Sequence, residues 1–462
     1  MECVKLSNSI AADPKHDAKE PIFSNADLRR LIVPLFAEQL LVSSIGLVSV
    51  FMVSSVGEAA VSGVSLVDSI NMLIVMLFGA LSTGGAVVVS QYLGRKDSDS
   101  ASNAAKLLLY ISAALAVLVT VFCMIFTKQI LTFIFSDVGD EIMLNAQRYF
   151  FITAMSYPFL SIYNSGVAIF RAMGKSRISM TNSLIMNIIN VILCIVLVRV
   201  LDFGVIGAAF SILVCRIFSA LFFFKLLQNP QNPVHIRRMF RPEFNLGMTK
   251  SILRVGIPSG IENSIFQVGK LMLAGLITTF GDTSTSASAI INNLMFFACL
   301  PGSAMGLALI TVVGQCVGAG DYAAATKYTK KLMTVAMLGM ITVNALMIIF
   351  MRPLIGLYNL TPPTEELTIF VMTRYCIFAA LLNAPAFAFP NALRAAGDAR
   401  FTMVMSIATM WIFRIGLSYV FGVYMNLGLM GIWYAGFCDW LARTIIFVAR
   451  FVGGKWKTKR VI

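Results

Sequence analysis

A glutamate follows a proline by four residues at two places in this sequence: Pro34 and Glu38 in "LIVPLFAEQL", and Pro258 and Glu262 in "VGIPSGIENS". Each glutamate stands roughly one to two turns inside a long apolar run. A proline within a helix leaves a carbonyl without its N–H partner and permits a kink that opens space nearby. Burial favours the neutral form of a carboxyl, so such a glutamate can hold a proton near neutral pH and trade it for a cation. The adjacent amides Gln39 and Asn263 belong to the same candidate sites. A structural duty is the alternative for both glutamates, as caps for backbone groups or as partners of a basic residue.

Other ionisable residues interrupt the apolar runs. Lys270 lies two turns beyond Glu262 and about 80° further round the helix, so the two do not stack. An ammonium at that depth must find a carboxylate, line water or lose its proton. It is either a counter-ion that yields to a cationic substrate or half of an internal pair. Arg414, in "MWIFRIGLSYV", stays charged and needs an acceptor, so anchoring is its expected role. Asp439 and Arg443 are four apart and can pair on one helix face. Asp68, with Asn71 in "LVDSINML", is expected at a hydrated outer end. His16 and His235 lie in polar stretches, and the eight cysteines are scattered without a CxxC spacing. The cysteines read as small packing residues. No cofactor and no metal centre are expected, apart from a Na⁺ near Glu38 or Glu262.

The elements that carry these residues follow from composition. The chain has 462 residues, 58% of them hydrophobic and only 13% charged, with a mean hydropathy of +0.83. Soluble domains carry roughly 25% charge, so the apolar excess must face lipid. Runs of about 20 apolar residues are long enough to cross a bilayer as helices. Twelve spans are expected near 31–55, 64–90, 104–126, 146–169, 179–199, 205–224, 256–280, 286–314, 332–351, 368–392, 402–423 and 428–449. The net charge of +14 is of the sign that a nucleic-acid partner would require. Its placement argues otherwise: with both termini cytoplasmic, most Lys and Arg fall in inner segments, the positive-inside pattern. A multi-pass, monomeric protein of the plasma membrane is expected. Residues 1–30 mix both charge signs and lack an apolar core, so they read as a cytosolic tail rather than a cleaved signal.

Sliding the sequence along itself by 224 residues aligns Pro34 with Pro258, Glu38 with Glu262, Gln91 with Gln315, Gly94 with Gly318, Asp97 with Asp321 and Gly204 with Gly428. Asn190 then falls on Arg414, and "RAMG" at 171–174 meets "RAAG" at 394–397 with one gap. Each half carries six spans, an even number, so both enter the membrane from the same side. The repeat is parallel, with a pseudo-two-fold axis along the membrane normal. The expected fold is all-α: two six-helix bundles, 31–225 and 251–450, joined by a cytosolic linker, 226–250, and followed by a basic tail, 451–462. Two such bundles leave a cleft at mid-membrane, where transporters of this architecture hold substrate. The 26 Met and 35 Phe suit an adaptable, greasy wall for amphipathic cargo. A membrane enzyme would need a nucleophile–base or metal cluster. No span contains a histidine, and no G-x-S-x-G elbow is present, so an enzyme is not expected.

With these features in place, the chain resembles the multidrug and toxin extrusion family across about residues 28–455. The marks are "PLFAEQL", "VSQYLGRKD" and "FRAMGKSR" in the first half, and "GIPSGIEN", "VVGQCVGAGD" and "LRAAGDAR" in the second. The resemblance implies export of organic cations and drugs, driven by inward flow of Na⁺ or H⁺ as two lobes rock. The acidic residues that many relatives carry in the first and fifth spans align with Ser49 and Cys194, and "NAPAFAFPNAL" lacks the one in the tenth. The family's ion sites therefore do not transfer residue by residue. Glu38, Glu262, Gln39, Asn263, Asn190, Lys270 and Arg414 are the candidates here for binding substrate or ion. A flippase for a lipid-linked saccharide or other amphipathic anion shares the fold and is the rival function.

Overall fold

The computed structural model describes residues 22–53, 56–135, 138–236, 245–358 and 360–462, with side chains placed for all of these except 43–53. Ser49 therefore lies outside the described side chains, as do residues 1–21 of the N-terminal tail and residues 237–244 of the linker; residues 25–30 of the expected tail belong instead to the first helix.

Among the described residues, twelve membrane-spanning helices form two lobes. In the first lobe they are α1 (Asn25–Val53), α2 (Glu58–Gly94), α3 (Ser98–Ile125), α4 (Asp140–Met155 continued by Tyr157–Ala172), α5 (Ser176–Val200) and α6 (Gly204–Leu227). In the second they are α7 (Leu246–Thr278), α8 (Asp282–Gly318), α9 (Tyr322–Ile349), α10 (Pro362–Ala395), α11 (Ala399–Tyr424) and α12 (Gly428–Val452). Eight of these are long and apolar enough to cross a membrane on composition alone. Of the others, α4 is broken at Ser156, while α7 and α12 carry the charged residues noted above.

The repeat in the sequence is a repeat in the backbone. α2 and α8 begin and end 224 residues apart, and so do α3 and α9. Asp97 and Asp321 cap the third helix of each lobe, accepting hydrogen bonds from the amides of Ser100 at 2.9 Å and Ala324 at 2.8 Å. The Ser100 amide holds the Asp97 carboxyl below the usual carboxylate range. At the far end, π-helical turns at Ile195–Val200 and Tyr419–Tyr424 lead into Asp202 and Asn426, both with φ of 52°. Asp and Asn tolerate that left-handed conformation better than other residues.

Each lobe has its own apolar core, but the first helices trade places at one end. Leu28, Leu31 and Leu35 of α1 are buried in the second lobe's core. Met248, Ile252 and Val255 of α7 are buried in the first lobe's. This is the end that carries the α2–α3 and α8–α9 connections and the C-terminal residues, and here the lobes meet backbone to backbone. A Cβ on Gly94 would lie 2.0 Å from the Gln315 carbonyl oxygen, and one on Gly318 would lie 2.0 Å from that of Gln91. Only glycine allows that crossing of α2 and α8.

Gly94→Ala and Gly318→Ala should each force the helices apart, with an overpacking cost of about 1–3 kcal/mol. Thermal unfolding of the purified protein reads this directly. An unchanged midpoint in both variants would show that the crossing is slack.

Candidate functional site

A cavity of about 740 Å³ lies inside the first lobe. α2 supplies one wall with Asp68, Asn71, Met72 and Met76, and α4, α5 and α6 contribute Tyr163, Asn190 and Arg216. The second lobe closes it with Asn263 of α7 and with Leu307, Ile310 and Thr311 of α8. Its lower limit, marked by Arg171 and Thr311, lies at the lobe junction.

Of the residues singled out in the sequence, Gln39, Asn263 and Asn190 line this cavity. Gln39 and Asn263 are repeat-mates, one from each lobe. Glu38 is fully buried just behind the wall. Its carboxylate meets Arg171, which does line the cavity: Nη2 lies 2.9 Å from Oε1, and Nε donates to Oε2 at 3.3 Å. Glu262 makes the matching contact in the second lobe, 2.6 Å from Nη2 of Arg394. Arg394 also donates from Nη1 to Asn391 Oδ1 at 2.8 Å. Both glutamates thus pair with the arginine of the "RAMG" or "RAAG" motif in their own lobe. Lys270 and Arg414 do not line the cavity; they lie inside the second lobe.

These arginines stand where the lobes are joined. The Arg171 carbonyl accepts from Thr311 Oγ1 at 3.0 Å, and the next carbonyl, of Ala172, accepts from Gln315 Nε2 at 2.8 Å. In the opposite sense, Gln91 Nε2 donates to the Ala395 carbonyl at 2.7 Å. Gln91 and Gln315 are repeat-mates, so the two lobes are latched by a pseudo-symmetric pair of amide–carbonyl bonds, each beside a glutamate–arginine pair.

The expectation that Asp68 is simply hydrated at a helix end needs correcting. It is half-buried and faces the cavity. Its Oδ1 accepts from Asn71 Nδ2 at 3.2 Å and from the Tyr149 hydroxyl at 3.3 Å. Tyr157 donates in turn to Asn71 Oδ1 at 2.8 Å. Arg216 also lines the cavity and donates to Ser156 Oγ at 2.5 Å, where α4 is broken. The three-residue spacing of Asp68 and Asn71, which places them on one helix face, was the available signal for this site. Asp439 and Arg443 do pair, with Nε donating to Oδ1 at 2.8 Å. Among the described residues no group of three or more His, Cys, Asp or Glu could hold a metal ion.

A duplicated twelve-helix bundle with an internal cavity, closed at one end by its own repeat symmetry, defines a two-lobed membrane transporter. The MatE family profile matches this chain twice, at residues 34–196 and 258–420, and the chain belongs to that family. The two matches are offset by the same 224 residues as the internal repeat. Among curated proteins the chain is 24% identical over 450 residues to the uncharacterized transporter YisQ of Bacillus subtilis, covering 96% of this chain and 97% of that one. It is 23% identical over 456 residues to the probable multidrug resistance protein NorM of Thermotoga maritima, covering 97% and 96%. Among solved structures, an outward-facing multidrug resistance MATE transporter superposes with a TM-score of 0.88 at 20% identity, over 94% of this chain and 96% of that one. The protein is therefore a multi-pass membrane transporter of the multidrug efflux type.

Arg171→Ala strands the buried Glu38 carboxylate and should cost about 3–5 kcal/mol. Adding Glu38→Gln to it should recover part of that loss. Unfolding midpoints of the single and double variants measure the coupling, and purely additive losses would disprove it.

Proposed function

We propose that the protein exports amphipathic organic cations in exchange for inward-moving H⁺ or Na⁺. The observation that carries this reading is Asp68, a carboxylate facing the cavity and held by an amide and a hydroxyl rather than by a guanidinium. Such a group can take a proton, a Na⁺ or a cationic cargo in turn, and these compete for it. Met72, Met76 and Met186 give the wall the deformable apolar surface that suits varied cargo. The multidrug assignments of the relatives point the same way.

Glu38 and Glu262 enter as coupling groups through their arginines. A proton or Na⁺ at Glu38 competes with Arg171, and the main chain at Arg171 and Ala172 is what the second lobe holds. Neutralising the pair loosens one side of the latch, and Glu262 with Arg394 acts likewise on the other. The latched end is the cytoplasmic one, and the chain works as a monomer in the plasma membrane. Transport of an amphipathic anion, the flippase reading, is favoured by the cationic side chains of the second lobe and by Arg216 at the cavity wall.

Purified protein in liposomes, given a fluorescent organic cation under separately imposed Na⁺ and pH gradients, tests the proposal. Uptake should follow one gradient, which names the ion. Asp68→Asn and Glu38→Gln should each lower gradient-driven uptake about tenfold or more, as for loss of one charged contact. Uptake that ignores both gradients in folded protein, or that survives both substitutions, would refute cation antiport at these groups.

A further inference from the structure

Around Asp439 the second lobe holds more buried cationic charge than that carboxylate neutralises. Arg443 takes the first claim on Asp439, donating from Nε to Oδ1 at 2.8 Å and from Nη2 to the Ser406 carbonyl at 2.9 Å. Arg414 is left 3.7 Å from Oδ2 of the same carboxylate. Its Nη1 makes no hydrogen bond, although the residue is only 8% exposed. Lys270 lies within electrostatic reach of Arg414. It has no carboxylate partner among the described residues, where the ion pairs of this lobe are Arg394–Glu262, Arg414–Asp439, Arg443–Asp439 and Arg450–Asp398.

Helix geometry gathers these groups. Phe266 and Lys270 are four residues apart on α7 and share a face. The Phe266 ring lies 5.4 Å from the Arg414 guanidinium and 5.7 Å from that of Arg443. Beside Lys270, Gly269 admits α11 so closely that a Cβ there would meet Met410 Cε at 2.1 Å and Ile415 Cδ1 at 3.2 Å. Lys270 and Arg414 therefore lie close together beside the Phe266 ring, the Asp439 carboxylate is shared by Arg414 and Arg443, and across the three cations two positive charges remain without a counter-charge.

The cluster has a revealing address. The repeat-mates of Arg414 and Asp439 in the first lobe are Asn190 and Cys215, and both line the first-lobe cavity. The basic cluster thus occupies the second lobe's equivalent of a cavity wall. Cationic groups without counter-charge are costly at this depth. An anion here would supply the acceptor that Arg414 Nη1 lacks and neutralise Lys270. Carboxylate, sulfonate and phosphate oxygens match those donors.

We propose that Lys270 and Arg414, set against the Phe266 ring, form a second-lobe site for the anionic group of an amphipathic molecule, separate from the first-lobe cavity. The anionic group is a carboxylate, sulfonate or phosphate, borne by a membrane lipid or by a soluble amphiphile. This site does not depend on the antiport reading, because it is tested by binding rather than transport.

The test uses the full chain in phosphatidylcholine nanodiscs, titrated with dansylglycine and, separately, with neutral dansylamide. Tryptophan-to-dansyl energy transfer is the readout. Dansylglycine should saturate at concentrations where dansylamide does not. Lys270→Gln should weaken dansylglycine about tenfold, and Lys270→Arg, which keeps the charge, should retain most of the affinity. An excess of tetraphenylphosphonium, a cation suited to the first-lobe cavity, should leave dansylglycine bound. Displacement by phosphatidylglycerol added to the nanodisc would support the site with a lipid headgroup as occupant, and saturation unaffected by it would support the site with a soluble amphiphile. Equal binding of the two dansyl compounds, or full affinity in Lys270→Gln, would overturn the proposal. Displacement by tetraphenylphosphonium would overturn its separateness from the cavity.

Discussion

A carboxylate inside a lipid-embedded bundle needs a proton or a cation beside it, because hydrocarbon does not screen its charge. Glu38 meets that demand with Arg171, tying the middle of α1 to the last turn of α4. The consequence reaches beyond one lobe. The carbonyls of Arg171 and Ala172, in the same turn, receive Thr311 and Gln315 from the second lobe. Charge compensation within a lobe and closure between lobes therefore share one short piece of backbone. Glu262, Arg394 and Ala395 repeat the arrangement with Gln91.

Magnitudes decide how firm that closure is. A neutral amide–carbonyl bond contributes about 0.5–1.5 kcal/mol net. The two glutamine bonds and the Thr311 bond together are worth a few kcal/mol. A proton or ion that binds one state better can supply a shift of that size. A latch built from buried ion pairs across the lobes would be much harder to open. Placing the strong charge pairs inside each lobe and the weak neutral bonds between them lets the lobes separate without stranding a charge. The glycine crossing of α2 and α8 contributes shape rather than attraction, bringing the backbones close enough for the glutamines to reach.

What the sequence disclosed was what can be read in one dimension. Span number, the 224-residue offset and the matched Asp97 and Asp321 depend on local composition and spacing, and the backbone repeats them helix by helix. Pairing was not legible in the same way. Arg171 stood in a quoted motif, yet it is 133 residues from Glu38, and nothing local links them. The depth of Asp68 is not legible in the sequence because an aspartate near a helix start is normally solvated. Here α2 is 37 residues long, and its Asp68–Asn71 face turns toward Tyr149 and Tyr157 of α4. Cross-helix neighbours of this sort depend on helix rotation, which apolar length does not encode.

The two lobes also show which parts of a duplicated fold must stay alike. Gln91 and Gln315, Gly94 and Gly318, and Glu38 and Glu262 keep their chemistry because they meet at or near the pseudo-two-fold axis, where each lobe must fit the other's copy. The interiors are free of that demand. Asn190 and Cys215 became, or came from, Arg414 and Asp439, and Ser219 corresponds to Arg443. Neither arginine could be carried alone in a buried bundle, so the shared Asp439 carboxylate is what makes both tolerable. Two arginines already exceed that one carboxylate and Lys270 adds a further charge, so the second lobe's interior is cationic where the first lobe's holds Asp68 and Arg216. The symmetry that closes the protein thus leaves its two interiors electrostatically different: a carboxylate beside a guanidinium in the first lobe, and an excess of cations in the second.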